Sequence, residues 1–280
     1  MLRTGSTRVL ADRDLAAVLR LLDDDPVGTV MVASRVQAAG LDPWRLGAEV
    51  WGYAPDGELT GVCLAGANLV PVAPDALARR AFADRARRQG RRCSSIVGDA
   101  ESVLDMWAQL RTSWDHPRDV REAQPLLLLD SPPKVAPDPD VRRVRPEELD
   151  VLLPAAVAMY TEEIGFSPAG SDGGALYRAR VAELIAQGRA FARIEDGQVL
   201  FKAEIGAATS QACQVQGVWT APHLRGRGLG AAGTASVALA AQATIAPLVS
   251  LYVNDHNRVA QRVYERVGFR RVGTFASVLF

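Results

Sequence analysis

An α/β fold made of two halves, each a mixed sheet flanked by helices, is the class that this 280-residue sequence predicts. A chain of this length holds about two domains of roughly 150 residues each. Four prolines between Ser131 and Pro139 interrupt it near the middle, and proline cannot continue a helix or a central strand. The predicted elements follow the same coarse order on both sides: helices first, then strands, then alternating helix and strand. We therefore expect domains at residues 1–130 and 140–280, joined by a linker at residues 131–139.

Hydrophobic periodicity and turn residues place the elements of the first half. Helices are predicted at residues 15–22, 30–39, 74–89 and 100–114. Strands are predicted at residues 45–53, 59–70, 93–97 and 126–129. The turn Pro55-Asp56-Gly57 separates the first two of these strands.

The second half opens with a predicted strand at residues 141–145 and continues with further helices and strands. Helices are predicted at residues 147–164, 174–187, 228–244 and 258–267. Strands are predicted at residues 190–195, 199–207, 214–220, 248–253 and from 269 onward. Asp196-Gly197 is a strong hairpin signal between the first two of these strands.

The composition indicates no macromolecular partner. Lysine plus arginine and aspartate plus glutamate both number 32, so no charge excess favours a nucleic acid or a membrane surface. Only Lys134 and Lys202 are lysines, a bias that fits genome composition. Neither a signal peptide nor a transmembrane helix is predicted. The cysteines lack any CxxC spacing and are expected to be buried, reduced thiols of a cytoplasmic protein; they are Cys63, Cys93 and Cys213.

A glycine-rich segment, Val218 to Gly230, runs from a predicted strand through a short loop into a predicted helix. Its end fits Arg-x-x-Gly-x-Gly through Arg225, Gly228 and Gly230. Glycine lets a ligand approach the backbone, and the amides and dipole of a helix N-terminus attract an anion. Arg225 and Arg227 add charge that suits phosphate. The loop predicts a pyrophosphate site, unless it is only a tight strand-to-helix turn.

A second pattern lies about thirty residues further on. Asn257, Ala260 and Tyr264 are spaced i, i+3, i+7, which puts them on one face of a helix, where a ligand lying along that face meets all three. The neighbouring stripe is expected to pack in the core; it consists of Val259, Val263 and Val267.

Together the two patterns resemble the GNAT superfamily of acetyl-CoA-dependent N-acetyltransferases, over about residues 140–280. The matching residues are Arg225, Gly228, Gly230, Asn257, Ala260, Tyr264, Gly268 and Phe269. The whole chain also resembles two-part bacterial proteins, which implies two GNAT-like halves. The resemblance implies acetyl-CoA as acyl donor, a pantetheine arm bound by backbone groups around Val218 and Thr220, and Asn257 near the cofactor. It further implies a pyrophosphate held by Arg225, Gly226, Arg227, Gly228, Leu229 and Gly230.

The first half lacks such a loop. Its predicted strand runs into Pro71-Val72-Ala73-Pro74, where two prolines remove the amides that a phosphate needs. We expect a degenerate half that does not bind CoA in this way.

Acetyl transfer requires the amine to lose a proton and the departing thiolate to gain one or be stabilised. The resemblance makes Tyr264 the proton donor; the alternative is a tyrosine that only packs on the sheet. Residues 214–220 contain no acid that would serve as the base. Glu204, which shares a strand face with Lys202, is the candidate base or amine anchor. The alternative is a solvated Lys-Glu pair.

Three other carboxylates remain open as bases. Glu162 and Glu163 end the first long helix of the second half, and Phe280 carries the C-terminal carboxylate. The glycine-rich loop at residues 164–174 is either a substrate gate or a linker.

The sequence therefore predicts an N-acetyltransferase that passes an acetyl group from acetyl-CoA to a small-molecule or peptide amine by direct attack. It indicates neither a metal nor an oligomeric state. The alternative is a non-catalytic acyl-CoA-binding regulatory protein, because the cofactor side looks complete while the base is not certain.

Overall fold

The computed structural model describes residues 7–168, 170 and 173–280. The first half contains β1 (Thr7–Val9), α1 (Leu15–Asp23), α2 (Val30–Ala39), α3 (Pro43–Leu46), β2 (Glu49–Tyr53), β3 (Gly61–Ala65), β4 (Asn68–Val72), α4 (Ala76–Gln89), β5 (Ser95–Asp99), α5 (Ala100–Leu110) and β6 (Asp119–Leu129). The second half contains β7 (Arg142–Arg143), α6 (Leu149–Ile164), α7 (Ala175–Ala186), β8 (Ala190–Glu195), β9 (Gln198–Ala208), β10 (Ala212–Thr220), α8 (Leu229–Thr244), β11 (Leu248–Tyr252), α9 (Arg258–Val267) and β12 (Arg270–Leu279).

The chain forms two compact units that are not continuous in sequence. Unit 1 consists of the described residues up to Leu126, together with Tyr252–His256 and Arg271–Phe280. Unit 2 consists of Leu127–Leu251 and Asn257–Arg270. Almost all of β12 therefore lies in unit 1, where it pairs antiparallel with β5.

The sheet of unit 1 has the strand order β1-β2-β3-β4-β5-β12-β6. From β1 to β12 in this order, neighbouring strands are antiparallel except β4 and β5, which are parallel and connected through α4. Successive residues of each strand point to opposite faces. One face forms a core with α1 and α2, and the other forms a core with α4 and α5.

The sheet of unit 2 has the strand order β7-β8-β9-β10-β11. It is antiparallel except for β10 and β11, which are parallel and connected through α8. Helices α6 and α7 form a core against one face. Gly233 of α8 packs against the Phe201 ring of β9, where an added Cβ would lie only 2.7 Å from ring atoms. Mixed sheets flanked by helices confirm the predicted α/β class.

Two predicted strands of the first half were wrong in detail. Residues 43–46 form a helix, because Pro43 occupies its first turn and the Asp42 side chain accepts hydrogen bonds from the next two amides. Residues 59–70 form two strands, because the chain turns at Gly66, whose amide donates to the carbonyl of Asn68. A Cβ on Gly66 would lie 2.8 Å from Ala48, so only glycine fits this turn without a shift.

The proline-rich stretch at residues 131–139 is held by specific contacts within unit 2. The Lys134 amide donates to the carbonyl of Val267 at 2.8 Å. The buried Asp138 carboxylate pairs with Arg193 at 2.9 Å, and the Ser236 hydroxyl donates to the Asp138 carbonyl at 2.8 Å. The segment thus lacks helix and strand, as its prolines require, but it is packed against the rest of unit 2.

Two sequence-level expectations concern cysteines and membranes. All three cysteines are buried and free, as expected. Among the described residues, no helix is both long and apolar enough to cross a membrane.

Glu148 should stabilise unit 2 in a pH-dependent way. Its carboxylate accepts two hydrogen bonds from Arg142, at 2.8 and 2.7 Å, which hold its pKa well below its usual range. A depressed pKa stabilises the fold above the pKa of the unfolded chain, about 4.3, and this contribution is lost as pH falls. Glu148→Gln should therefore lower the free energy of unfolding by about 1–3 kcal/mol at neutral pH. The difference in unfolding free energy between the variant and wild type should shrink in acid.

Urea unfolding at several pH values tests this prediction. Glu183→Gln is the matched control, because Glu183 forms an exposed pair with Arg180 and such pairs contribute about 0–1 kcal/mol. An equal loss in both variants, or a Glu148→Gln deficit that does not change with pH, would contradict the assignment.

Candidate active site

The loop between β10 and α8 presents an uncapped helix N-terminus. Gly228 is the N-cap of α8 with a φ of 90°, and no side chain caps the helix. Gly226 has a φ of 77°, and an added Cβ at either glycine would meet nothing within 4 Å. Glycine is therefore favoured at these two positions by the left-handed backbone and not by close packing. The space around both Cβ positions is open. Such a helix end attracts an anion through its amides and its dipole.

Gly230, two residues after Gly228, lies close to the end of β10. A Cβ on Gly230 would lie 3.3 Å from the hydroxyl oxygen of Thr220 at the end of β10. Leu229, Gly230 and Thr220 are half-buried. The packing of α8 on Phe201 and this close approach fix the helix N-terminus beside the carboxyl end of β10.

The side chain of Arg225 is held by contacts with β10 and α6. Its Nε donates to the carbonyl of Thr220 at 3.0 Å, and its NH2 group lies 2.7 Å from Glu162 of α6. Glu162 also accepts from the indole of Trp219 at 3.0 Å. Burial raises the pKa of Glu162, but these hydrogen bonds outweigh it and the net shift is downward. In the part of the chain that the structure describes, Arg227 is exposed and forms no ion pair.

β10 is irregular where it passes β9. Gln216 pairs with Glu204 and Trp219 with Lys202, so Gly217 and Val218 both lie opposite one residue of β9. Gly217 has a φ of 60°, which favours glycine. A Cβ there would lie 3.0 Å from Lys202 Nζ, 3.1 Å from the Glu204 carboxyl carbon and 3.1 Å from Met159 of α6. The bulge therefore meets a buried charged pair on the α6 side of the sheet.

Glu204 belongs to a buried polar network. Lys202 is 1% exposed and Glu204 9%. Lys202 Nζ donates to Glu204 Oε2 at 3.1 Å, and Gln216 Nε2 donates to Oε1 at 3.0 Å. Gly206 makes room for Gln216, because a Cβ there would lie 2.1 Å from its side-chain oxygen. The alternative of a solvated Lys-Glu pair is therefore wrong, since helices cover both faces of β9.

Tyr264 of α9 is buried, and its ring packs edge-on against Phe269 at 6.0 Å between centroids. Burial raises the pKa of its hydroxyl, and the negative charge of Glu163 raises it further. The phenol is therefore held in its protonated form, which a proton donor needs.

Tyr177 of α7 was not singled out from the sequence. Its hydroxyl donates to the carbonyl of Ala156 at 3.0 Å. Burial raises its pKa, with further contributions from the charges of Glu204 and Glu163. The negative charge of Glu163 thus contributes to the raised pKa of both Tyr177 and Tyr264. A tyrosine at the start of a helix gives no sequence signal for this placement.

Asn257 does not lie within the regular turns of α9. It is the exposed N-cap of that helix, and its side-chain oxygen accepts from the Ala260 amide at 3.1 Å.

The predicted core stripe of α9 is only partly buried. Val259 is 67% exposed, so its assignment to this stripe was wrong, whereas Val267 is buried. A residue in the first turn of a helix that begins after a loop projects beyond the packed surface.

Phe280 does not fit the role of an alternative base. Its ring packs against Trp107 at 5.6 Å and Trp114 at 5.7 Å, and its amide donates to the carbonyl of Ser94. These neighbours all belong to unit 1, because β12 pairs with β5. The sequence could not reveal this pairing, which joins distant parts of the chain.

Of the loop predicted as a gate or linker, Ala169, Ser171 and Asp172 lie outside the described residues. Across the described residues, no group of three or more His, Cys, Asp or Glu side chains is placed to hold a metal ion.

Unit 1 contains a counterpart of the β10–α8 segment. β4 and β5 are parallel like β10 and β11, and α4 connects them. The N-cap of α4 is Asp75, whose carboxylate accepts from the Leu77 amide at 2.9 Å. A carboxylate thus occupies the place at which α8 has glycine, and it repels an anion.

Two family models match the chain. Residues 172–269 match the Acetyltransferase (GNAT) family, and residues 48–152 match a domain of unknown function, DUF4081. No curated protein matches the sequence.

Several solved structures share the fold over nearly the whole chain. A GNAT-family acetyltransferase from Colwellia psychrerythraea is 13% identical with a TM-score of 0.58, covering 98% of this chain and 99% of the other. A GCN5-related N-acetyltransferase from Sphaerobacter thermophilus is 18% identical with a TM-score of 0.58, covering 100% and 96%. A tandem GNAT protein from the clavulanic acid biosynthesis pathway is 14% identical with a TM-score of 0.56, covering 98% of both chains. The likeness to a tandem protein supports a fold of two similar halves.

Proposed function

We propose, from the match of residues 172–269 to the GNAT acetyltransferase family, that the second half of this chain transfers an acetyl group from acetyl-CoA to a small-molecule or peptide amine. The amine attacks the thioester directly. The observation that carries the proposal is the uncapped N-terminus of α8 behind Gly226 and Gly228, next to the irregular end of β10.

The β10–α8 segment is suited to the acyl donor. Residues 225–230 hold the pyrophosphate on backbone amides, and the exposed Arg227 supplies charge. Val218 and Thr220 offer backbone groups to the pantetheine arm, and Asn257 lies at the start of the neighbouring helix. Arg225 reaches the phosphates only by leaving its contacts with Thr220 and Glu162.

The first half has no equivalent function in this proposal. Asp75 caps α4 where a phosphate would bind, and prolines precede it. We assign residues 1–130 to a degenerate GNAT-like domain, 131–139 to a connecting segment and 140–280 to the acetyltransferase domain. One acetyl-CoA site per chain follows.

Tyr264 protonates the departing thiolate of CoA. The burial and the Glu163 charge that raise its pKa keep the hydroxyl protonated at neutral pH. A positioned proton donor of this kind contributes a rate factor of about 10²–10⁴.

Glu204 is the base or the anchor of the acceptor amine. Both of its oxygens already accept hydrogen bonds, from Lys202 and Gln216. The ammonium group of the acceptor therefore either replaces one of these donors or contacts the Glu204 carboxylate through a water molecule. Glu162 and Glu163, which end α6 on the same side, are the reserves.

If Glu204 is the base, Glu204→Gln should lower the rate most at low pH, where the ammonium fraction of the acceptor is largest. The measurement is the pH profile of acetyl transfer. Glu195→Gln is a suitable control, because Glu195 ends β8 and its charge pairs with Arg193 at an exposed edge. A uniform loss at every pH favours the anchoring role, and an unchanged rate excludes Glu204 from both roles.

Screening for the acceptor tests the proposed function. The chain is incubated with isotope-labelled acetyl-CoA and a pool of amine metabolites and peptides, and mass spectrometry identifies labelled amides. Appearance of one such product supports the enzyme. Tight binding of acetyl-CoA without any labelled product favours the non-catalytic acyl-CoA-binding regulator.

A further inference from the structure

Lys202 is an unusual residue at its position. It is one of only two lysines among 32 basic residues, and it is 1% exposed in the middle of β9. A chain that uses arginine at almost every other basic position places lysine here, and the amine of lysine can accept an acyl group. Arginine remains protonated and is not a comparable nucleophile.

The amine lies next to Gly217, the residue that precedes the strand segment assigned to the acyl donor. Lys202 pairs with Trp219 of β10, and its Nζ lies 3.0 Å from the position of a Gly217 Cβ. Val218, proposed to bind the pantetheine arm, is the next residue of the bulge. A larger residue at Gly217 would separate the amine from this segment.

A proton acceptor is already in contact with the amine. Glu204 Oε2 is 3.1 Å from Lys202 Nζ, and Gln216 fixes the other carboxylate oxygen at 3.0 Å. Met159 of α6 lies beside the same pair, with its Cε 3.1 Å from the position of a Gly217 Cβ. The surroundings exclude bulk water, so hydrolysis does not compete with an amine held at this place.

We infer that Lys202 is a self-acetylation site of this protein, an inference that rests on the proposed binding of acetyl-CoA at Val218–Gly230. The ammonium of Lys202 gives one proton to Glu204, and the neutral amine attacks the thioester carbonyl. The new C–N bond forms and the C–S bond breaks. The nitrogen loses its second proton, CoA leaves as the thiol, and one proton is released to water overall.

The modification acts on the proposed catalytic centre. An acetylated Lys202 carries no positive charge, so Glu204 loses its ionic partner. The carboxylate proposed as base or amine anchor then has one fewer competitor for the ammonium of the acceptor.

The experiment uses the full chain with isotope-labelled acetyl-CoA and no added amine. Intact-mass analysis followed by peptide mapping should find one labelled acetyl group, on Lys202. The exposed Lys134 is the internal reference for non-specific chemical acetylation. Labelling of Lys202 should exceed that of Lys134 on the order of 100-fold, because a held amine gains from proximity.

Two variants sharpen the test. Lys202→Arg retains the buried positive charge and should abolish the label, whereas Lys134→Arg should leave it unchanged. Glu204→Gln should slow labelling by about 10²–10⁴-fold, as loss of a general base does. The rate per chain should not depend on protein concentration, since the reaction is intramolecular.

Label confined to Lys134 or the N-terminal amine, in a chain that binds acetyl-CoA, would overturn the inference and leave the proposed function standing. A chain that does not bind acetyl-CoA at all would overturn both. If Lys202→Arg does not fold, peptide mapping of the wild-type chain decides the question alone.

Discussion

Replacing Gly228 and Gly230 by glutamate should abolish acetyl-CoA binding. Gly228 has a φ of 90° at the N-cap of α8, where an L-residue costs roughly 1–2 kcal/mol. Two carboxylates at this helix end also oppose the phosphates. Affinity should fall on the order of 100-fold or more, because like charges brought together in a site cost several kcal/mol.

Isothermal titration calorimetry measures this effect and the stoichiometry. Wild type should bind one acetyl-CoA per chain. Gly57→Glu is the matched control, because Gly57 has a φ of 91° with nothing near its Cβ position and lies in a turn of unit 1. Two equivalent sites in wild type, or binding that survives the double substitution, would refute the assignment.

Tyr264→Phe should slow acetyl transfer by about 10²–10⁴-fold while leaving acetyl-CoA affinity within a few-fold. In the proposed mechanism the hydroxyl acts on the departing sulfur and not in ground-state binding. Because the pKa of Tyr264 is raised by burial and by Glu163, the wild-type rate should not fall from neutral to mildly alkaline pH through loss of this proton.

Steady-state kinetics with an identified acceptor provide the measurement. Tyr53→Phe removes a hydroxyl from another buried tyrosine, in unit 1, and should leave the rate unchanged. A Tyr264→Phe variant with weakened acetyl-CoA binding and normal turnover would show that the phenol contributes to binding only.

The sequence predicts most elements of this fold because glycine, proline and aspartate mark their ends. Asp196-Gly197 predicts the β8–β9 hairpin, and Gly228 the start of α8. Local patterns do not reveal pairing between distant strands. β12 therefore looked like the last strand of the second half, although it joins β5 of unit 1.

Within the candidate site, the sequence predicts the geometry of the β10–α8 loop better than the surroundings of Glu204. The glycine motif is contiguous, so its geometry follows from local backbone rules. Alternation in β9 put Lys202 and Glu204 on one face, but alternation does not tell a solvated face from one covered by α6. Gln216 reaches Glu204 only through the pairing of β10 with β9.

Release of free CoA from acetyl-CoA in the presence of an amine distinguishes an acetyltransferase from a protein that only binds the cofactor. We expect thiol release from the wild-type chain to depend on the amine, to match the amount of acetylated product and to disappear in the Gly228→Glu/Gly230→Glu variant. If a chain that binds acetyl-CoA never releases thiol faster with any of a broad panel of amines and peptides than without them, it is not an acetyltransferase.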